Sequence, residues 1–185
     1  MQEQRIQAAV RDILAAIGED PQREGLAGTP QRVAEMCREL FSGFGADPRE
    51  AIDAVFEAEQ HDPVVLRNVT FYSVCEHHLL PFFGQAHMAY IPNGKIAGLS
   101  KLARALECAC RRLQVQERLT AQLADAIVAA LDPKGVAVEL EAEHLCMSMR
   151  GVQKPGSRMV TTAVRGSFHN SPVDRQGLLA LLRSK

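Results

Sequence analysis

The order of hydrophobic periodicities along this 185-residue chain predicts an α+β fold. The opening stretch, to about residue 60, repeats its apolar residues at helical spacing. Beyond it the chain reads as two strands, two helices and two strands, an order that argues against a parallel, doubly wound sheet.

The elements follow in turn. Ile6, Val10, Ile13, Leu14 and Ile17 are spaced for a helix over 4–17, with Gly18 as its stop. Thr29-Pro30 predicts the next helix start, Thr29 as N-cap and Pro30 in the first turn, with Val33, Met36, Cys37, Leu40 and Phe41 on the apolar face. A short third helix is expected after Asp47-Pro48, turning Ala51, Ile52, Val55 and Phe56 inward. The β-branched and aromatic run 64–74 predicts a strand, as does 85–91, and Pro92-Asn93-Gly94-Lys95 a turn. Ser100 is placed to cap a helix carrying Leu102, Ala105, Leu106, Ala109 and Leu113. A second helix over 116–131 carries Leu119, Leu123, Ile127 and Leu131. Residues 136–146 alternate Val136, Val138 and Leu140 with Glu139, Glu141 and Glu143, as a half-solvated strand does. Residues 159–168 form a fourth strand, and the tail from Pro172 a short amphipathic helix.

Composition narrows the function. Lys and Arg number 21 against 22 Asp and Glu, so no basic excess marks a general nucleic-acid binder. The 46% hydrophobic fraction suits a globular chain, and no apolar run reaches the ~18 residues that span a bilayer. The N-terminus alternates charged and apolar residues, unlike a secretory signal, so a cytoplasmic setting is expected. The charge is uneven: residues 1–60 carry six Arg and twelve acids, and the remainder fifteen basic and ten acidic residues. A basic second part suits an anionic ligand.

Five cysteines, at 37, 75, 108, 110 and 146, make a poor disulfide framework. Cys75-Glu76-His77-His78 directly follows the first strand, and a tight turn there brings Cys75 and His78 onto one ion; a plain turn with two solvated histidines fits the same residues. His144 and Cys146, two apart in a strand, project to one face. Cys75, His78 and Cys146 then form a three-ligand site with an open fourth position, the pattern of catalytic rather than structural zinc. His77 and His144 stand beside it as proton-transfer candidates, and Glu76 either orients one of them or is exposed. Cys108 and Cys110 sit roughly 200° apart on a helix and cannot share an ion. They read as packing residues, as does Cys37; His61, His87 and His169 read as surface or structural. Lys101 and Arg104, one turn apart near a helix N-terminus, suit a phosphate or a solvated helix face equally. Glu117, next to Gln116 at a helix start, suits a guanine edge or the helix dipole.

The stretches SVCEHHLLPFFGQAHMAYIP, GLSKLAR, VQERLT, EAEHLCMSMRGV and VTTAVRGSF closely resemble GTP cyclohydrolase I, a likeness running from about Glu24 (EGLAGTPQRVAEM) to the C-terminus. The resemblance implies a tunnelling fold over 61–185, an antiparallel four-stranded sheet with a helix pair, preceded by a helical region over 1–60. It implies a homodecamer of two stacked pentameric rings with active sites between subunits. It implies Zn2+ held by Cys75, His78 and Cys146, and proton transfer by His77 and His144. Glu117, with Gln116 beside it, would anchor the guanine. Leu99, Ser100, Lys101, Arg104 and Arg150 would contact ribose and triphosphate, with Arg32 reaching in from a neighbouring subunit. The implied reaction converts GTP to 7,8-dihydroneopterin triphosphate and formate, the first step of tetrahydrofolate or pteridine biosynthesis. Two alternatives stand beside it: a relative acting on a different purine or pterin, and a zinc-stabilised assembly protein, which would need a fourth ligand.

Overall fold

The computed structural model describes residues 1–170 and 172–183, in two compact units, Met1–Ser42 and Gly43–Lys185. In the first, α1 (Glu3–Ala16) and α2 (Thr29–Leu40) lie against each other, tied by Arg38 to Glu3 at 3.4 Å. The predicted helices form, with two corrections. Gly28, not Thr29, is the N-cap of α2, and the Thr29 hydroxyl accepts from Arg32 instead. Met36 and Ile17 are exposed rather than packed, because a two-helix unit covers only one narrow stripe of each helix.

The second unit opens with a larger correction. Residues 48–51 are turns, not a third helix, and β1 (Val55–Glu57) follows, pairing antiparallel with β4 (Lys95–Ala97). Of the four residues expected to turn inward, Ile52 is buried, while Val55 and Phe56 are exposed. A run of four apolar positions fits one helical turn as well as a short strand, and the partner strand decides it.

Four long strands make the main sheet: β2 (Val64–Cys75), β3 (Pro81–Ile91), β6 (Gly135–His144) and β7 (Met159–Gly166), all pairing antiparallel in that order. A fifth, the two-residue β5 (Leu113–Gln114), runs parallel along the outer side of β2. The pairing of β3 with β6 is close at Gly84, where a Cβ would lie 1.9 Å from the Glu141 carbonyl oxygen.

One sheet face packs on α3 (Leu99–Cys110) and α4 (Gln116–Leu131). Phe71, Phe82, Met88, Tyr90, Val138 and Leu140 meet Leu102, Leu106, Leu119, Leu123 and Ile127 in one core. The helix α4 spans the predicted residues, and its four apolar positions are all buried. The α3 cap is Gly98 rather than Ser100, and Leu113 lies beyond the helix, in β5, 41% exposed. Strand β6 ends at His144, so Cys146 belongs to a single helical turn, α5 (Leu145–Ser148). The second face of β6 is half-solvated only toward its end, where Glu141 is exposed and Glu143 half-buried; its start is covered. Beyond β7, α6 (Ser167–Asn170) leads into α7 (Pro172–Arg183), which packs on β3 and β6, and Glu139 is only 5% exposed. Phe168 and Leu182 join Ala89 and Ala137 there in a second cluster. The tail helix thus forms as expected, while His169 falls outside the residues whose side chains are described.

Candidate active site

The first candidate ligand is placed by the end of a strand. Cys75 closes β2, 5% exposed, and its amide donates to the Leu80 carbonyl at 2.9 Å. The Leu79 amide returns to the Cys75 carbonyl at 2.9 Å, with Leu79 at φ +55°, so residues 75–80 form a tight turn. The Glu76 amide donates to the Gln114 carbonyl at 3.0 Å, fastening the turn to β5. The second thiol arrives from α5, one turn beyond β6, which pairs with β3 beside it.

Cys75, His78 and Cys146 converge, their donor atoms all lying within 4.8 Å of one another. Two thiols and an imidazole are a donor set that fits zinc and leaves one tetrahedral position open. Burial first, and then the adjacent Cys75, push the Cys146 thiol up from its ordinary value, while Arg150 pulls it down. A cation held between the thiols would remove their protons outright.

The two proton-transfer candidates differ in setting. His77 is exposed, its Nδ1 3.9 Å from Cys75 Sγ. His144 is half-buried and stacked on Phe82, ring centroids 4.6 Å apart and planes 2° from parallel. Its Nε2 lies 2.8 Å from Gln116 Oε1. Burial lowers the His144 pKa from its usual value, against the opposing pull of Glu117.

The remaining predicted residues fall as follows. Glu117 is exposed at the first turn of α4, whereas Gln116 is fully buried, its amide bonded at both ends. Leu99, Ser100 and Arg104 are exposed on the first turns of α3. Lys101 is half-buried and paired with Asp53. Arg150 is exposed just after α5, close enough to Cys146 to act on its thiol. Arg32 is on α2 in the first unit, donating to Thr29 at 3.1 Å. Of the other cysteines, Cys110 is buried in the core, its thiol pushed strongly up by burial. Cys108 lies 3.8 Å from Arg112, and Cys37 is half-buried on α2.

Several contributors escape sequence reasoning. The Glu76 carboxylate pairs with Arg118. Arg118 also donates to Gln114 Oε1 at 2.9 Å and to the Leu113 carbonyl at 3.1 Å, so α4, β5 and the 75–80 turn share one clamp. Phe82 as a platform for His144, and Asp53 as the partner of Lys101, are likewise contacts far apart in sequence.

The class defined by this arrangement is a mixed α+β protein with a three-donor Cys/His site able to hold a metal ion, flanked by an oriented histidine. The profile of the GTP cyclohydrolase I family matches residues 6–183. GTP cyclohydrolase 1 of Geobacillus kaustophilus (strain HTA426) is 57% identical over 181 residues, covering 97% of this chain and 96% of that protein. GTP cyclohydrolase 1 of Streptococcus pyogenes serotype M3 (strain ATCC BAA-595 / MGAS315) is 54% identical over 180 residues, covering 97% and 93%. A crystal structure of the archaeosine synthase QueF-Like in its apo form aligns with 57% of this chain and 94% of its own, at 20% identity and a TM-score of 0.46. The chain belongs to the GTP cyclohydrolase I family, and it is an enzyme. Among the described residues no helix is long and apolar enough to cross a membrane.

Proposed function

We propose that the protein converts GTP to 7,8-dihydroneopterin triphosphate and formate in a zinc-dependent reaction, on a tunnelling fold, as the first step of tetrahydrofolate or pteridine biosynthesis in the cytoplasm. The observation that carries this reading is the convergence of Cys75, His78 and Cys146 beside His144 in a chain of this family.

When bound there, zinc supplies Lewis-acid activation of a water molecule near neutral pH. The chain's own residues do the rest. Exposed Glu117 offers two carboxylate oxygens, which match the adjacent N–H donors of a guanine edge. Lys101, Arg104 and Arg150 supply cations for the triphosphate, with Arg32 added from a neighbouring subunit of a ten-chain assembly. Leu99 and Ser100, at the α3 N-terminus, border the ribose. His77 delivers a proton to the imidazole-ring nitrogen of the base, and His144 serves the ring-opening step. Gln116, next to Glu117, supports the base end of the site.

The test is direct. Zinc-loaded protein incubated with GTP is expected to release formate and, after oxidation, a fluorescent pterin. Detecting neither would sink the reading.

A further inference from the structure

We propose that Gln116 is a positioning residue for His144: its buried amide fixes the imidazole proton on Nε2 and leaves Nδ1 as the nitrogen that exchanges a proton with substrate. The clause about substrate rests on the proton-transfer role given to His144 above; the clause about the proton's place rests on geometry alone.

Gln116 is 0% exposed, so its amide can be satisfied only by protein. One end of that amide lies 3.0 Å from the Leu140 carbonyl oxygen and 3.0 Å from the Met159 carbonyl oxygen. Both are acceptors only, so this end must be the NH2 group. Turning the amide over would set an oxygen against two carbonyl oxygens and leave them all unpaired.

The hydroxyls nearby agree with that assignment. Thr120 Oγ1 donates to the Gln116 carbonyl at 2.7 Å, which uses its single proton. Thr161 Oγ1, 2.6 Å from Thr120 Oγ1, must then be the donor between the two. Its own lone pairs remain for the Gln116 NH2 group at 3.1 Å. The NH2 group thus serves three acceptors with two protons, one of them shared, and every one of those acceptors is free of a competing proton within this network.

The other end of the amide is therefore Oε1, an acceptor, 2.8 Å from His144 Nε2. A bare Nε2 would face it lone pair to lone pair, so Nε2 carries the proton. Phe82 fixes the plane of the ring, stacked at 4.6 Å and 2°. Gln116 fixes its rotation and tautomer within that plane. Its anchors, Leu140 on β6 and Met159 and Thr161 on β7, are parts of the sheet core rather than of a loop, so the setting is rigid. Outer partners of this kind typically contribute about 10–100-fold to a site they orient.

The experiment is 15N NMR of zinc-loaded protein labelled at histidine ring nitrogens, with His144→Asn used to assign the signal. The expected result in the unmodified protein is a protonated Nε2 and a bare Nδ1 at His144; the reverse pattern would overturn the proposal without any variant having to fold. Gln116→Met, close in shape but without hydrogen bonds, is expected to mix the two tautomers. It should also lower kcat about 10–100-fold with zinc content unchanged. An unaltered tautomer signature and kcat in Gln116→Met would refute the positioning role. Thr161→Val removes one acceptor and leaves both carbonyls, so the Nε2–H signature should persist; its loss would count against the amide argument. A protein with the Nε2–H signature that turns over no GTP would sink the enzymatic reading while supporting the assigned geometry.

Discussion

Lys101 is one of the cations assigned to the triphosphate, yet in this structure its ammonium meets the Asp53 carboxylate. That hydrogen bond holds the Asp53 carboxyl below its usual range, with Arg104 adding to the effect. Lys101 is only 16% exposed, while Asp53 is 63% exposed. The lysine is thus held in place by a carboxylate that water also reaches. A triphosphate would compete with that carboxylate for the same cation. Asp53→Asn removes the competitor and keeps the shape. The expected outcome is a KM for GTP lowered about 2–5-fold at unchanged kcat, the range that exposed ion pairs support. Steady-state kinetics at low salt would check it, and a raised KM would mean that Asp53 orients Lys101 for substrate instead. No spacing rule pairs Asp53 with Lys101, 48 positions on, because the contact is made by β1 and β4 bringing the segment before β1 against the start of α3.

Among the elements, the 75–80 turn is held by more than its own hydrogen bonds. Arg118, on α4, ties Glu76 in the turn to Gln114 and Leu113 in β5. A single exposed ion pair contributes little, but this side chain bonds the turn and β5 at once and so joins both to α4. Arg118→Ala is expected to weaken zinc binding about 3–10-fold, measured by competition with a chelator, while leaving the fold intact. Undiminished zinc affinity would reduce the clamp to a surface contact. The regular elements were legible where period and length agree: α4 keeps its predicted bounds, and the strand at 64–74 gains only Cys75. The convergence of Cys75, His78 and Cys146 was legible too, since Cys75 and His78 share one turn. Its geometry was not: His144 and Cys146 were expected on one strand, yet the strand ends between them and a helical turn carries the thiol inward. The segment before β2 was misread because its apolar run is shorter than two helical turns, and only pairing with β4, some forty residues on, makes it a strand.

At the scale of the whole molecule, the Gly43–Lys185 unit leaves apolar side chains in water beside its own candidate site. Leu79, in the 75–80 turn, is 65% exposed, Leu99 opens α3 at 66%, and Met149 follows α5 at 60%. Tyr72, stacked on Phe83 at 5.8 Å, is 59% exposed. Strand β7 is the last of its sheet, with no further strand paired to its outer side among the described residues. An apolar rim and an open sheet edge are features that assembly covers. If a second copy covers the rim, each site draws residues from two chains, which is the role proposed for Arg32. Native mass spectrometry is then expected to give ten times the 20.3 kDa chain mass. A complementation test is sharper. Cys146→Ala removes a proposed ligand, and Arg32→Ala a cation proposed to reach the neighbour; each alone should be strongly impaired. Co-assembled in equal amounts, they should regain activity, because about a quarter of randomly mixed sites hold both native halves. Recovery that appears only when the two variants are assembled together supports shared sites. A protein of single-chain mass, or a mixture no more active than its parts, would return Arg32 to the surface of its own helix.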